Sequence, residues 1–283
     1  MSVVGVVGGC GARRPAASPA PAAPGEAPIT APAAKPADLP TLESVDPALA
    51  TALADLGRGE SVAGLRHLAA EYHRLGVLDH AESHLTRALA LGPKDAASWE
   101  ARARVRRDWG LPDLALADAH RAVYFAPDSA SAHNTLGTVL FALGNAAEAL
   151  KSFARAIERD PSAAWAHSNL CYASLTVGHE SEALSHCGAA LALDPALATA
   201  RHNLALIHAA AGRIDDAARE FMAAGPAASG YYNLGLVLMA RGDHARAVEA
   251  FEAAGRAAPG LAAAFARARQ ARTLAARTAA GGK

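Results

Sequence analysis

Aromatic residues are scarce in this 283-residue chain: Phe, Tyr and Trp make up 5%, whereas apolar residues together reach 52%. Strands favour β-branched and aromatic side chains, so a core of Ala and Leu argues against a sandwich or barrel and for closely packed helices. Charge of one sign is also lacking, since 27 Lys and Arg stand against 27 Asp and Glu. Nucleic-acid binders displace phosphate counterions with a basic excess, so no nucleic-acid partner is expected. Three cysteines make no disulfide framework, and neither a CxxC pair nor a Cys/His metal spacing occurs. No apolar run reaches the ~18 residues that span a bilayer. A GxSxG elbow, an HExxH helix, a phosphate-cradling glycine loop and paired carboxylates are all missing. Catalysis needs groups held within hydrogen-bond reach of one another, so the expectation is a chain with no catalytic residue, cofactor or metal. The 12 histidines are scattered; His80 and His84 stand i,i+4 on one helix, without a clearly placed third ligand.

Proline is concentrated at one end. Pro15, Pro19, Pro21, Pro24, Pro28, Pro32, Pro36 and Pro40 punctuate residues 1–40. Such a segment buries too little apolar surface to offset its ordering entropy, and a disordered Pro/Ala linker is expected there. Ahead of it, Val7-Gly8-Gly9-Cys10 resembles the lipobox of bacterial lipoproteins, in which the cysteine is lipidated and becomes the new N-terminus. The resemblance implies a lipid anchor on Cys10 as the one link to a membrane; the alternative is the low-complexity tail of a cytosolic protein.

The rest of the chain is periodic. Pro93, Pro127, Pro161 and Pro195 fall 34 residues apart, as do Gly76, Gly110, Gly144, Gly178 and Gly212. Two alanine columns keep the same interval: Ala81, Ala115, Ala149, Ala183, Ala217, and Ala88, Ala122, Ala156, Ala190, Ala224. A sixth copy follows a four-residue deletion, with Gly242, Ala247, Ala254 and Pro259. Each glycine stands between two helical stretches, where positive φ ends the first helix. The alanine columns lie seven residues apart on one face of the second helix and let its partner approach closely. Leu68, Leu136, Leu170, Leu204 and Leu234 share a core position on the first helix; Phe153, Phe221 and Phe251 share one on the second, with Leu85 in the first copy.

These columns resemble the tetratricopeptide repeat (TPR) family, a 34-residue helix-turn-helix unit that stacks into a right-handed superhelical solenoid. The resemblance implies an all-α fold with six copies at 62–95, 96–129, 130–163, 164–197, 198–227 and 228–261. A leading helix is expected within 41–61, N-capped by Asp46 and stopped near Gly57, and a capping helix and tail over 262–283 with Leu261, Phe265 and Leu274 facing inward.

Three departures stand out. Arg102 replaces the core leucine of copy two; an unpaired buried guanidinium is very costly, so a partly buried pair with Asp118 on the facing helix is expected. Copy five is short, its second helix ending near Ala224 before Gly225-Pro226-Ala227. Cys171 and Cys187 occupy facing columns of copy four, as ordinary buried apolar residues or as a disulfide, and the second would favour export to an oxidising compartment.

In TPR proteins the first helix of each pair lines a concave groove that takes peptides or helices. Mapped by that resemblance, the groove here carries Arg66, His73, Arg104 and Arg107 in its first half and Tyr172, Leu206 and Leu236 in its second, with Asn134 and Thr138 between. Asn169, Asn203 and Asn233 form a column whose amides either serve a peptide backbone or belong to the repeat itself. The implied function is a protein-protein interaction scaffold with a protein or peptide ligand. The Cys10 motif, the Pro/Ala tether and the TPR body together look similar to the TPR lipoproteins of Flp-type pilus assembly, hence an envelope-tethered, periplasmic adaptor; the alternatives are a cytosolic TPR scaffold or a regulatory subunit of an enzyme complex.

Overall fold

Local signals set many of the helix boundaries. Asp46, Ser61, Asp95 and Ser129 are N-caps whose side chains accept from backbone N–H groups three residues on, at 2.9–3.1 Å. At the turn inside each copy, glycine takes φ of 75–85° at positions 76, 110, 144, 178, 212 and 242. The first helix then closes with paired reverse bonds, as in Val77 N to Tyr72 O at 2.9 Å and Gly76 N to His73 O at 3.0 Å.

The computed structural model describes residues 46–281. Cys10 and the linker expected over 1–40 lie outside the described residues. Fourteen α-helices, and among the described residues no strand, follow one another. Helix α1 (Pro47–Gly57) leads. The copies are α2 (Val62–Arg74) with α3 (Leu78–Leu91), α4 (Ala96–Asp108) with α5 (Pro112–Phe125), and α6 (Ala130–Ala142) with α7 (Ala146–Arg159). Then come α8 (Ala164–Thr176) with α9 (Glu180–Leu193), α10 (Ala198–Ala210) with α11 (Ile214–Ala223), and α12 (Ala227–Ala240) with α13 (His244–Ala257). Helix α14 (Ala262–Gly281) closes the stack. Each helix packs chiefly on its chain neighbours, the arrangement of a right-handed solenoid, and no described helix is long and apolar enough to cross a membrane.

The periodic columns form the core. The alanines at 81, 115, 149, 183, 217 and 247 are fully buried, as are those at 88, 122, 156, 190 and 254. Phe153, Phe221 and Phe251 are buried beside them, and the rings of Phe153 and Phe251 lie where a Cβ on Gly137 or Gly235 would stand, 2.6 Å away. Leu68, Leu136 and Leu170 are buried, while Leu204 and Leu234 are half-buried around the short copy. In copy two Asp118 takes Nε and Nη2 of Arg102, both at 2.9 Å, and Nη1 of Arg106, also at 2.9 Å. Arg106 continues to Glu82 of copy one at 2.7 Å, so the network also ties two copies together.

Two expectations need correction. The inner face of α14 is Ala264, Ala268 and Ala271, whereas Phe265 is 43% exposed. Its ring leans on Gly255 at the edge of the stack, where only a glycine leaves room. Cys171 and Cys187 are not independent apolar residues: they form a disulfide between α8 and α9, with Cα atoms 5.3 Å apart.

Candidate functional site

Because glycine turns fix the hand of each pair, successive first helices (α2, α4, α6, α8, α10, α12) present their residues in register on one face. Two clefts lie on it. One of about 430 Å³ is lined by Arg66 and Ala70 of α2, Glu100 and Arg104 of α4, and Ser131 of α6. The other, of about 280 Å³, lies between α10 and α12.

The arginines of the first half are largely answered by neighbouring carboxylates. Arg66 meets Asp95 at 2.6 Å, and His73 meets Asp108 at 2.8 Å. Burial alone would raise the Asp95 carboxyl; hydrogen bonds from Ser98 and the charge of Arg66 outweigh it and hold that group below its ordinary range. Arg107 also reaches Asp108, at 2.8 Å, and donates to Thr138 Oγ1 at 2.7 Å. Arg104 is the loosest of the set, 49% exposed and 3.6 Å from Glu100. This half therefore offers mixed charge, with Arg104 the most loosely held of these guanidinium groups, rather than a uniform cationic strip.

The asparagine column spends its donors inside the array. Asn169 donates to Asn134 Oδ1 at 2.8 Å, Asn203 to the Ser168 carbonyl at 3.0 Å, and Asn233 faces His202 Nδ1 at 3.4 Å. Each bond crosses from one first helix to the preceding one, so these amides set the spacing between copies and leave mainly their carbonyl oxygens for a ligand. Glu100 and Ser168 are likewise buried between first helices.

The second half keeps accessible apolar surface. Tyr172 is 41% exposed, its ring 5.5 Å from that of Phe141 on the preceding first helix, and Leu236 is 37% exposed. Leu206 is half-buried against the α10–α11 core. His202 packs on Phe221 at 5.2 Å, and burial holds its imidazole below the ordinary histidine range, hence neutral near pH 7. His84 stacks on Tyr72 at 5.5 Å, and His80 lies tilted against the same ring at 5.0 Å. Among the described residues no group of three or more His, Cys, Asp or Glu is placed to hold a metal. Absent from the sequence reading were Thr199, Ser229 and Gly230, which line the second cleft; the deletion in copy five is the signal that pointed there.

A family model described as "Tetratricopeptide repeat" matches residues 130–163 and 228–261, the spans read as copies three and six. Solved structures agree on the fold. The chain resembles a structure of the APC/C hetero-tetramer Cut9-Hcn1 with TM-score 0.66 at 15% identity, over 79% of this chain and 45% of that one. It thus spans less than half of that longer protein. PilW, described as a widely conserved type IV pilus biogenesis factor, is similar at TM-score 0.60 and 25% identity, over 70% of this chain and 94% of that one. The pilF protein of Pseudomonas aeruginosa is similar at TM-score 0.58 and 19% identity, over 77% and 99%. No curated protein matches the sequence.

Proposed function

The chain is a tetratricopeptide-repeat protein, and on that footing we propose that its first-helix face is the docking site for a peptide or helix of a protein partner, in an adaptor tethered to a bacterial envelope. The fold is of a kind that generally serves as a non-catalytic interaction scaffold. The observation that carries the reading is exposed apolar surface in register beside concave surface: Tyr172 and Leu236 stand open on the face that also holds both clefts. Arg104, 49% exposed and held only loosely by Glu100 at 3.6 Å, adds a cation at the other end of that face, suited to an acidic group on the partner. Asn134, Thr138, Asn169, Asn203 and Asn233 hold the helices at the spacing such a ligand must match. Arg66 lines the first cleft while committed to Asp95, and His73 and Arg107 are committed to Asp108 on the same face.

The envelope assignment rests on three supports. Val7-Gly8-Gly9-Cys10 has the form of a lipidation site, followed by a Pro/Ala tether. The Cys171–Cys187 disulfide suits an oxidising compartment. The likeness to PilW spans nearly the whole of that pilus biogenesis factor, which makes assembly of a surface fibre or secretion apparatus the class of process to test first.

Capture of partners from the native cell, with Arg104→Glu, Tyr172→Ala and Leu236→Ala combined, is the direct test. Loss of an anchor of this kind costs about 2 kcal/mol or more, so capture drops at least ~30-fold while the thermal transition stays in place. Unchanged capture contradicts the docking site. Palmitate labelling abolished by Cys10→Ala supports the tether; an unlabelled protein recovered from the cytosol with Met1 intact contradicts it.

A further inference from the structure

We propose that the four-residue deletion in copy five opens a dedicated pocket between α10 and α12, and that this pocket takes one uncharged apolar or aromatic side chain of an extended peptide. The inference deepens the docking reading above and rests on it.

The pocket begins with the length of α11. This helix has 10 residues, whereas the second helices of the other five copies each have 14. A full turn is missing where the other copies fill the space before the next first helix. Gly225-Pro226 makes the shortened connection, and Gly230 lets α12 sit directly on the end of α11: a Cβ there would stand 2.8 Å from the Phe221 carbonyl oxygen. The first helices of the earlier copies pack on one another in turn, whereas α10 and α12 approach less closely and are joined by Asn233 to His202 Nδ1 at 3.4 Å and by Arg241 Nη1 to the Ala209 carbonyl at 2.9 Å.

Hydrogen bonds cross the earlier seams. Ser131 donates to Glu100 at 2.6 Å between α6 and α4, Asn169 to Asn134 at 2.8 Å between α8 and α6, and Ser168 to Thr199 at 3.1 Å between α8 and α10. Ser229 occupies the column of Ser131 and Thr199, yet among the described residues its hydroxyl makes no hydrogen bond. The bond this column makes in those copies is missing here; Asn233 and Arg241 tie α12 to α10 further along, and a cleft of about 280 Å³ lies at the N-terminal end of the seam.

Its chemistry selects the ligand. Phe221 forms the floor, and Pro226 and alanine side chains form the walls. No Asp, Glu, Lys or Arg lines it, so a charged group entering would lose its hydration without a partner. His202 is neutral, and with Nδ1 accepting from Asn233 its Nε2–H is the donor. The carbonyl oxygens of Asn203 and Asn233 and the Ser229 hydroxyl complete a rim able to bond one peptide unit on either side of the buried side chain. The volume suits a single Leu, Phe or Tyr side chain rather than a cofactor, for which sites run to roughly 300–1,000 Å³.

The test uses the full chain, isotope-labelled, and capped peptides Gly-Ser-Gly-X-Gly-Ser-Gly with X set to Leu, Phe, Tyr, Asp or Lys. The expected result is saturable NMR shifts of the Asn203 and Asn233 side-chain amides and the His202 ring, with Leu, Phe or Tyr binding at least ~10-fold tighter than Asp or Lys. Ser229→Trp fills the cleft and removes these shifts. Ser229→Asp, a milder change on an exposed position, reverses the preference toward Lys. Shifts at Tyr172 and Leu236 with none at the pocket overturn this inference and leave the docking face standing. Pocket shifts in a protein whose partner capture ignores Tyr172 and Leu236 overturn the docking face instead. No shifts anywhere, or binding unchanged by Ser229→Trp, also overturn the pocket.

Discussion

Asp118 is 2% exposed and holds two guanidinium groups, Arg102 and Arg106. Breaking a buried ion pair leaves an uncompensated charge, so Asp118→Ala destabilises the array by about 3–5 kcal/mol, measurable as a lower urea midpoint. The Arg102–Asp118 contact was legible because both positions fall in fixed columns of the repeat. The second arginine was not, since its partner Glu82 belongs to the previous copy and no column rule links them. The asparagine column shows the same limit: residue type fixed its position, while only the placement of α8, α10 and α12 showed that its donors are spent between copies. Histidines give a second prediction. Burial holds His84, His186 and His202 below the ordinary value, with the neighbouring His167 adding to the effect on His186. The folded state keeps them neutral while the unfolded chain takes up protons from about pH 6.5 downward. Stability is therefore fully present above that value and falls as pH drops toward the lower folded values. The His84→Gln, His186→Gln, His202→Gln triple variant shows a flatter decline of urea midpoint between about pH 7.5 and pH 5.5 than the parent.

Helices in this chain are placed by close approach as much as by their apolar faces. Phe153 occupies the space over Gly137, and Phe251 that over Gly235, each ring atom 2.6 Å from where a Cβ would be. Gly137→Ala therefore drives α6 away from α7 or forces the ring off its rotamer, at a cost of about 1–3 kcal/mol. The same substitution at Gly188, where nothing lies within 4 Å, raises stability slightly in the same melting experiment, because alanine is the better helix former. Element boundaries were readable from glycine, proline and N-cap residues, since these act locally through φ and unsatisfied N–H groups. The orientation of α14 was not: it has no following copy to impose a column, and Ala264, Ala268 and Ala271 pack inward because small side chains allow closer contact than Phe265 would.

At the scale of the whole molecule, nearest-neighbour stacking makes the fold legible in the sequence. Six copies carrying the same columns bury one another's apolar faces, and no long-range pairing had to be guessed. A binding face is harder to see, because it depends on which exposed groups remain free after the copies dock. Arg66, Arg107 and the asparagines are engaged, while Tyr172 and Leu236 stay exposed and Arg104 is held only loosely by Glu100. The central claim is that partners lie across the first-helix face and not along the second helices. Photo-crosslinkers placed at Tyr172 and Leu236, and as controls at Lys151 on α7 and Arg219 on α11, test it in the native cell. The account predicts one shared partner trapped from both first-helix positions and little from the controls; equal trapping from Lys151 and Arg219 would contradict it.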